Sequence, residues 1–403
     1  MSIFREVPPT AGFPLYFKDF FSIFSQQDSL EKDFKDYLNV PYSKFTYSGT
    51  AAFYIILESL KKLSSKKTVI IPAFLCPLIP LAIRRAGLKA EVCDINKDNF
   101  DFDIPQLQEL CSKNKDILAI VAVHLAGIPV DFDEIKQIAQ KDKIFIIEDC
   151  AQSLGAIYKG KKVGTLGEFS FFSLCRGKGL TTYEGGVIVT KQKEYSTIIN
   201  STIKKFVKNY FFSETLKVVE LFGYWIFYRP SLFWFAWKLP QMFWESRGET
   251  LKALTEYFTI DFPTHKVSKF RKSVGHCSFP RLEKEINNQR LKASIYTEGL
   301  KNVQGIKIIS ESAESKATYP YLTLIFDDPM KRENAKEKFK NLGLGVFQIY
   351  CLAITDYAYL KGTLESKACP NARYLAQRHI TLSTSTFLKD RELDSVINII
   401  RNL

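Results

Sequence analysis

A lysine and an aspartate of this chain could act on one ligand if the fold brings their side chains together. Asp149 comes at the end of the apolar run 144–147, and Lys178 lies in a turn rich in serine and glycine. A lysine amine forms an imine with an aldehyde, and a carboxylate keeps a pyridine nitrogen protonated. These two groups are what an enzyme that uses pyridoxal 5'-phosphate requires, whereas Lys178 taken alone could be a surface lysine.

A second set of residues could bind the phosphate of such a cofactor. Gly49, Thr50 and Ala51 stand directly before the apolar segment 52–60, which we predict to be helical. Backbone N–H groups at a helix N-terminus attract a phosphate, and glycine lets it approach closely. We therefore expect these three residues to hold the phosphate, with the Ser173 hydroxyl on the other side. Simple helix capping is the alternative.

The elements that must position these residues follow a regular alternation between residues 49 and 190. Short apolar runs alternate with amphipathic segments, which predicts a mostly parallel sheet with helices on both faces. The candidate strands are 68–71, 90–94, 118–124, 144–148, 168–173 and 186–190. Ligands of such sheets bind at the carboxyl ends of the strands, and Asp149 lies at one of these ends.

Five blocks of the chain occur in the order typical of one enzyme family. They are 48–52, 123–127, 148–152, 172–178 and 184–186. With these blocks the chain resembles the DegT/DnrJ/EryC1/StrS sugar aminotransferases, which are fold-type-I pyridoxal-phosphate enzymes. The resemblance implies an α/β PLP-transferase fold, with a mostly parallel seven-stranded sheet in a large domain and a small α+β C-terminal domain.

The resemblance also implies an activity. A homodimer would move an amino group from an amino acid, with glutamate as the implied donor, to a keto-sugar that is nucleotide-linked. The pathway would be surface polysaccharide or related sugar biosynthesis. Two alternatives stay open: a PLP-dependent sugar dehydratase, whose family relatives carry histidine in place of the lysine, and a non-enzymatic PLP-binding sensor or membrane-docked protein.

The family pattern assigns further roles around the cofactor. Lys178 would also move the proton, and Gln152 would hydrogen-bond the phenolic oxygen of the cofactor. The family places an aromatic ring over the pyridine where this chain has Cys76, so either Phe74 takes that role or a less aromatic cover suffices.

Three more residues are candidate neighbours of the substrate or cofactor. His124 ends a predicted strand and is either a cofactor neighbour or a hydrogen-bonded structural residue. Arg176 could meet a phosphate or carboxylate of the substrate or form a structural salt bridge. Tyr183 stands where the family commonly has glycine.

Changes in composition divide the chain into four segments. We predict an N-terminal segment that packs against one of the two domains, a large PLP-binding α/β domain, an aromatic-rich insertion and a small α+β domain, at 1–45, 46–200, 201–280 and 281–403. In the last of these, strands are predicted at 319–326 and 345–350.

All four tryptophans lie in the insertion 201–280. Its apolar runs are too short and too interrupted to span a bilayer. Two interpretations remain open. The segment packs against the body or a partner subunit, or it makes a peripheral contact with a membrane through 218–244.

Composition narrows the choice of partners and of compartment. The net charge is +13, but the basic residues are dispersed and no nucleic-acid motif accompanies them, so we expect no nucleic-acid partner. The eight cysteines include no CxxC pair, which favours reduced thiols over disulfides or a metal site. The N-terminus lacks the apolar core of a secretory signal. We expect a cytoplasmic protein, either free or at the periphery of a membrane.

Overall fold

The computed structural model describes residues 4–21, 29–366 and 368–403, without the side chains of 365 and 366. Parts of the predicted N-terminal segment, residues 1–3 and 22–28, lie outside the described residues. The strands are β1 Tyr42–Thr46, β2 Thr68–Pro72, β3 Lys89–Cys93, β4 Ile117–Val123, β5 Phe145–Asp149, β6 Ile157–Tyr158, β7 Lys161–Lys162, β8 Phe169–Ser173, β9 Gly186–Thr190, β10 Ile306–Ile309, β11 Ser315–Lys316, β12 Tyr321–Phe326, β13 Leu364–Ser366 and β14 His379–Ser383.

Helices connect and cover these strands. They are α1 Leu30–Leu38, α2 Gly49–Leu60, α3 Leu78–Arg85, α4 Ile104–Lys113, α5 Phe132–Lys141, α6 Lys193–Phe206, α7 Phe211–Phe227, α8 Pro230–Phe233, α9 Leu239–Glu245, α10 Thr250–Ala253, α11 Lys269–Ser278, α12 Leu282–Leu300, α13 Pro329–Phe339, α14 Pro370–Arg378 and α15 Asp390–Arg401. A π-helical turn, Trp234–Lys238, joins α8 to α9.

An eight-stranded sheet, in the order β1-β9-β8-β5-β4-β2-β3-β13, lies at the centre of the molecule. Neighbouring strands are parallel except where β9 pairs with β1 and β8. The mostly parallel sheet is confirmed, but it has eight strands rather than the predicted seven. Two of its strands, β1 and β13, are not among the six candidate strands, and β13 consists of only three residues from the C-terminal part of the chain that pair with β3. So short a segment carries no recognisable strand pattern.

Alternate residues of the central strands enter two separate hydrophobic cores. Val69 and Ile71 of β2 join one core, and Ile70 joins the other. Successive side chains of a strand point to opposite faces, so both faces of the sheet are covered. This double burial explains why the strands appear in the sequence as continuous apolar runs.

The C-terminal part contains a three-stranded antiparallel sheet in the order β10-β12-β14. The strand predicted over 345–350 is wrong, because that stretch makes only an isolated bridge from Phe347 to Thr381. Gly345 and Tyr350 have φ angles of 69° and 60°, and an extended strand cannot contain this left-handed conformation.

The N-terminal segment contacts both the predicted large domain and the C-terminal part of the chain, whereas we predicted packing against one of them. Val7 N–H donates to Gly343 O at 2.9 Å, and Phe13 N–H donates to Lys178 O at 3.1 Å. Part of the aromatic-rich segment packs on it, since buried side chains from the two segments share a small core that includes Leu15 and Leu221. Within the described residues, no helix has both the length and the apolar run that crossing a bilayer requires.

One close contact in this fold can be tested by adding a single methyl group. A Cβ on Gly186 of β9 would press on the backbone of Ser48 and lie 2.7 Å from Gly49 N. Neither backbone can move without disturbing the start of α2, so we expect Gly186→Ala to lower the free energy of unfolding by about 2 kcal/mol.

Gly223→Ala is the matched control. An added Cβ there meets nothing within 4 Å, and the residue lies inside α7. This variant should unfold at the same temperature as the parent or higher, because alanine favours a helix by about 1 kcal/mol over glycine. Thermal unfolding followed by circular dichroism compares the two. Equal stability of Gly186→Ala and the parent would contradict the contact.

Candidate active site

The turn that carries Lys178 is fixed by backbone hydrogen bonds on both sides. Leu174 N–H donates to Gly185 O at 2.7 Å and closes the loop. Gly177, with a φ of 77°, provides the left-handed bend directly before Lys178. From outside the loop, the Thr10 hydroxyl donates to Gly177 O at 2.9 Å. The N-terminal segment thus holds the half-buried Lys178 in place.

Asp149 is the last residue of β5 and is only 6% exposed. Its Oδ1 accepts the Ala151 N–H at 2.9 Å. Burial raises the pKa of the Asp149 carboxyl to about 6, while the Ala151 N–H and the charge of Lys178 act in the opposite direction. The fold therefore brings the amine and the carboxylate within electrostatic reach of each other.

The start of α2 meets the end of β8 at a close approach. An added Cβ on Gly49 would lie 2.9 Å from the Cβ of Ser173. Ser48 caps the helix, because its hydroxyl oxygen accepts the Ala51 N–H at 3.1 Å. The Ala51 N–H, which we predicted to bind the phosphate, is therefore already engaged. In the described part of the chain, the N–H groups of Gly49 and Thr50 and the hydroxyls of Thr50 and Ser173 make no hydrogen bond to protein. These four donors can face an anion.

Gln152 is held by two tyrosines that the sequence did not point to. Its Oε1 accepts from Tyr321 at 2.7 Å and from Ala126 N–H at 3.0 Å, and its Nε2 donates to the Tyr350 hydroxyl at 3.3 Å. Both tyrosines come from the C-terminal part of the chain. No spacing in the sequence links them to Gln152, and the predicted strand at 345–350 concealed the turn at Tyr350.

Cys76, and not Phe74, shares the surroundings of the Lys178–Asp149 pair. Burial raises the pKa of the Cys76 thiol to about 11, and among the charges that act on it are those of Lys178 and Asp149. The ring of Phe74 is buried instead among other rings, with centroids 5.4 Å from His379 and 5.9 Å from Tyr350. Phe74 thus belongs to the core behind the site.

His124 makes structural hydrogen bonds with both ring nitrogens. Nδ1 accepts the Val130 N–H at 3.2 Å, which leaves the proton on Nε2 for donation to Glu148 at 3.2 Å. Glu148 in turn accepts three backbone N–H bonds, from residues 164, 166 and 167. No ring nitrogen remains for a ligand. The cluster that His124 and Glu148 form with Cys150 has the composition of a metal site, but the ring nitrogens of His124 and the carboxylate oxygens of Glu148 are engaged in these bonds.

Arg176 and Tyr183 face each other across the loop 174–185, which carries Lys178 and which we call the lysine loop. The exposed Arg176 donates a hydrogen bond from Nη1 to the Tyr183 hydroxyl at 3.1 Å. Among the described residues its side chain therefore pairs with a hydroxyl and not with a carboxylate. Tyr183 has a φ of 68°, a conformation that favours glycine. Glycine, which the resemblance implies at this position, adopts this conformation without a steric cost.

Taken together, these groups fit pyridoxal phosphate. Lys178 supplies an amine, Asp149 a buried carboxylate with one oxygen bonded to a backbone N–H, and the start of α2 supplies donors for a phosphate. A mostly parallel sheet with this site at the carboxyl end of β5 is the arrangement of a fold-type-I pyridoxal-phosphate enzyme.

Comparison with known families agrees with this class. The model of the DegT/DnrJ/EryC1/StrS aminotransferase family matches residues 18–217 and 263–401, and the chain belongs to that family. The predicted family, aminotransferase class and pyridoxal-phosphate cofactor are confirmed. The unmatched residues, 218–262, fall within the aromatic-rich segment.

Named relatives and a solved structure support the assignment. GDP-perosamine synthase of Escherichia coli O157:H7 is 35% identical over 164 residues, which are 40% of this chain and 44% of that protein. GDP-4-keto-6-deoxy-D-mannose 3-dehydratase of Yersinia pseudotuberculosis is 35% identical over 175 residues, 42% of this chain and 44% of that protein. This chain thus spans less than half the length of these two relatives.

A putative sugar aminotransferase of Streptococcus pneumoniae, Spr1654 in its PLP form, has the same fold. It superimposes with a TM-score of 0.77 at 18% identity and covers 98% of both chains. The α/β fold is therefore confirmed over nearly the whole chain.

The raised pKa of Asp149 predicts opposite effects of one substitution on the apoprotein and on cofactor binding. Below the unfolded pKa of 3.8 the carboxyl is protonated in both states, whereas above about 6 its buried charge destabilises the fold. In the apoprotein, Asp149→Asn should therefore stabilise the fold above pH 6, by at most about 3 kcal/mol, and the gain should vanish as the pH falls to 4.

The same variant should bind pyridoxal phosphate more weakly, because asparagine has no negative charge to stabilise a protonated pyridine nitrogen. Thermal unfolding of the apoprotein across pH, together with a cofactor titration, measures both effects. A variant that is less stable than the parent above pH 6, or that binds the cofactor equally well, would contradict this role of Asp149.

Proposed function

We propose that this protein is an aminotransferase that moves an amino group from an amino acid, with glutamate as the donor, to a keto-sugar linked to a nucleotide. The observation that carries the proposal is the Lys178 amine within electrostatic reach of the buried Asp149 carboxylate, with donors that have no protein partner at the start of α2. The product would serve surface polysaccharide or related sugar biosynthesis in the cytoplasm. Its relative named GDP-perosamine synthase supports a sugar nucleotide as the acceptor.

Each residue has a distinct role in this proposal. Bound pyridoxal phosphate supplies an electron sink for the bond that breaks at the amino-bearing carbon. Lys178 would hold the cofactor through its amine and would carry a proton to and from that carbon. Asp149 keeps the ring nitrogen protonated, while Gly49 and Ser173 contribute to the phosphate site. Gln152 Nε2 donates one hydrogen to Tyr350, and its other hydrogen would be donated to the phenolic oxygen of the cofactor.

A lysine at this position favours transamination over the two alternatives. The family resemblance implies histidine in place of this lysine in sugar dehydratases, one of which is a relative of this chain. The presence of Asp149, Gln152 and Ser173 together with Lys178 argues against a sensor without turnover. Lys178 therefore supports transamination. In the second half-reaction the amino group taken from the amino acid is transferred to a keto-sugar by the reverse steps.

Spectroscopy of the purified protein tests this proposal. With pyridoxal phosphate the protein should be yellow, and glutamate should convert the colour to the spectrum of the pyridoxamine form. Lys178→Ala should lose both the yellow colour and the conversion, because no amine remains to hold the cofactor or to take the proton from the amino-bearing carbon. Lys191→Ala, which removes an exposed lysine after β9, is the matched control and should behave like the parent.

Conversion of glutamate by Lys178→Ala at the parental rate would sink the proposed role of this lysine. A yellow parent protein that is inert towards every amino donor would instead identify a sensor. Release of water from a 4-keto-6-deoxy sugar nucleotide, with no amino group transferred, would identify a dehydratase.

We also propose that a second copy of the chain covers the exposed apolar side chains of the aromatic-rich segment. Phe211 and Phe212 are 79% and 88% exposed at the start of α7. More apolar side chains along α7 to α9 are exposed, namely Leu216, Val219, Phe222, Ile226, Phe227, Phe235, Leu239, Met242 and Phe243. We call this set the apolar surface. A soluble monomer rarely exposes so many neighbouring apolar side chains.

Two lysines near this surface are already paired with carboxylates, which favours a protein partner over an anionic membrane. Lys217 forms ion pairs with Glu184 and Glu220, and Lys252 forms one with Glu249. Lysines that are already paired attract lipid headgroups weakly. Interfaces between subunits, by contrast, are rich in aromatic residues and methionine and poor in free charges.

Measurement of the solution mass by light scattering tests the second copy. The parent should be a dimer, and Phe212→Glu combined with Phe243→Glu should shift it towards the monomer by placing charges on the apolar surface. Met330→Glu is the control, because Met330 is 75% exposed on α13, outside the segment. A parental monomer that sediments with anionic vesicles would overturn the proposal in favour of membrane contact through 218–244.

A further inference from the structure

Tyr350 is held in a conformation that a tyrosine rarely adopts. Its φ is 60°, in the left-handed region where a side chain meets its own backbone. A residue keeps such a conformation only where its surroundings impose it, and such residues cluster at functional sites. The neighbours that impose this one therefore indicate what the conformation serves.

The carboxylate of Glu256 fixes the backbone at this point. Its Oε1 accepts the Tyr350 N–H at 2.6 Å, and its Oε2 accepts the Cys351 N–H at 3.1 Å. Tyr357 donates its hydroxyl to Oε2 at 2.6 Å, and Tyr359 donates to the backbone oxygen of Glu256 at 2.7 Å. Glu256 is only 4% exposed, so the bonds from Tyr350, Cys351 and Tyr357 are hydrogen bonds to a buried carboxylate, which are strong.

The side chain of Tyr350 extends from this fixed point into the candidate active site. Its hydroxyl accepts from Gln152 Nε2 at 3.3 Å, and its ring meets the ring of Phe74 edge-on at 5.9 Å. The hydroxyl also lies close enough to the Cys76 thiol to influence its ionisation. Tyr350 thus occupies the neighbourhood of Cys76, where this chain lacks the aromatic residue that its family usually has.

Glu256 lies outside the part of the chain that the family shares. The family model matches residues 18–217 and 263–401, and Glu256 falls in the gap between them. The gap contains the end of α7 as well as α8, α9 and α10, and Glu256 follows α10 by three residues. The inserted segment therefore reaches the Tyr350 side of the site through the buried carboxylate of Glu256.

We propose that Glu256 is a positioning residue that holds the Tyr350 ring and hydroxyl against Gln152 and Cys76, and thereby orients Gln152 for the pyridine ring of the cofactor. This inference rests on the proposed function, because it takes the Lys178–Asp149 site as the place where pyridoxal phosphate binds. The insertion then has two roles: its apolar surface contacts a second copy of the chain, and its Glu256 holds Tyr350 in one wall of the cofactor pocket.

A titration of the apoprotein with pyridoxal phosphate, followed by absorbance and by quenching of tryptophan fluorescence, tests this inference. Glu256→Gln puts an amide NH₂ where an oxygen now accepts, so one donor at Tyr350, Cys351 or Tyr357 loses its partner. We expect the dissociation constant to rise about tenfold, the effect of losing one hydrogen bond to a charged group. The pH at which the yellow colour changes should shift as well.

Tyr350→Phe should produce the same two changes, because it keeps the ring but removes the acceptor of Gln152. If Glu256 acts through Tyr350, adding Glu256→Gln to Tyr350→Phe should weaken cofactor binding little further. Glu245→Gln is the matched control, since Glu245 is an exposed glutamate of the same insertion, at the end of α9. Thermal unfolding of each apoprotein verifies that the variants are folded.

The outcomes separate this inference from the proposed function. A yellow parent with folded Glu256→Gln and Tyr350→Phe variants of unchanged affinity and unchanged colour transition would overturn the role of Glu256 alone. Effects of the two substitutions that add in full would also overturn it. A parent that fails to bind pyridoxal phosphate would overturn both.

Discussion

Burial of a carboxylate within electrostatic reach of an amine is the constraint on which the site depends. Asp149 ends a strand inside the sheet, where burial disfavours its charge and raises its pKa to about 6. The Lys178 charge and the Ala151 N–H lower the pKa of Asp149 but offset only part of the effect of burial. A cationic ring that binds against this carboxylate recovers the lost interaction, so the apoprotein retains a free-energy cost that the cofactor removes.

Segments far apart in the chain hold this pair in place. The N-terminal segment bonds to the lysine loop through Thr10 and Phe13. Tyr224 and Tyr228 of the aromatic-rich segment donate to the same N-terminal segment, at 2.9 Å and 3.1 Å. The insertion therefore braces the lysine loop on one side, and through Glu256 it holds Tyr350 on the other. A segment that shows no catalytic motif thus contacts both sides of the candidate site.

The sequence predicted those parts of the molecule that depend on local pattern. The central strands were recognisable because burial on both faces makes them continuous apolar runs, and Lys178 and Asp149 were recognisable because family motifs surround them. Other features depend on contacts between distant residues and were missed. β13 is only three residues long, and Tyr350 joins the site through a left-handed turn that the apolar pattern of 345–350 conceals.

Chemical trapping tests the central claim most directly. Borohydride reduction of the protein loaded with pyridoxal phosphate fixes the cofactor to the amine that holds it, and mass spectrometry of the digested protein then locates the modified lysine. The account predicts one phosphopyridoxyl group per chain, on the peptide that contains Lys178. A modification on any other lysine, or none after reduction of the yellow protein, would contradict the account.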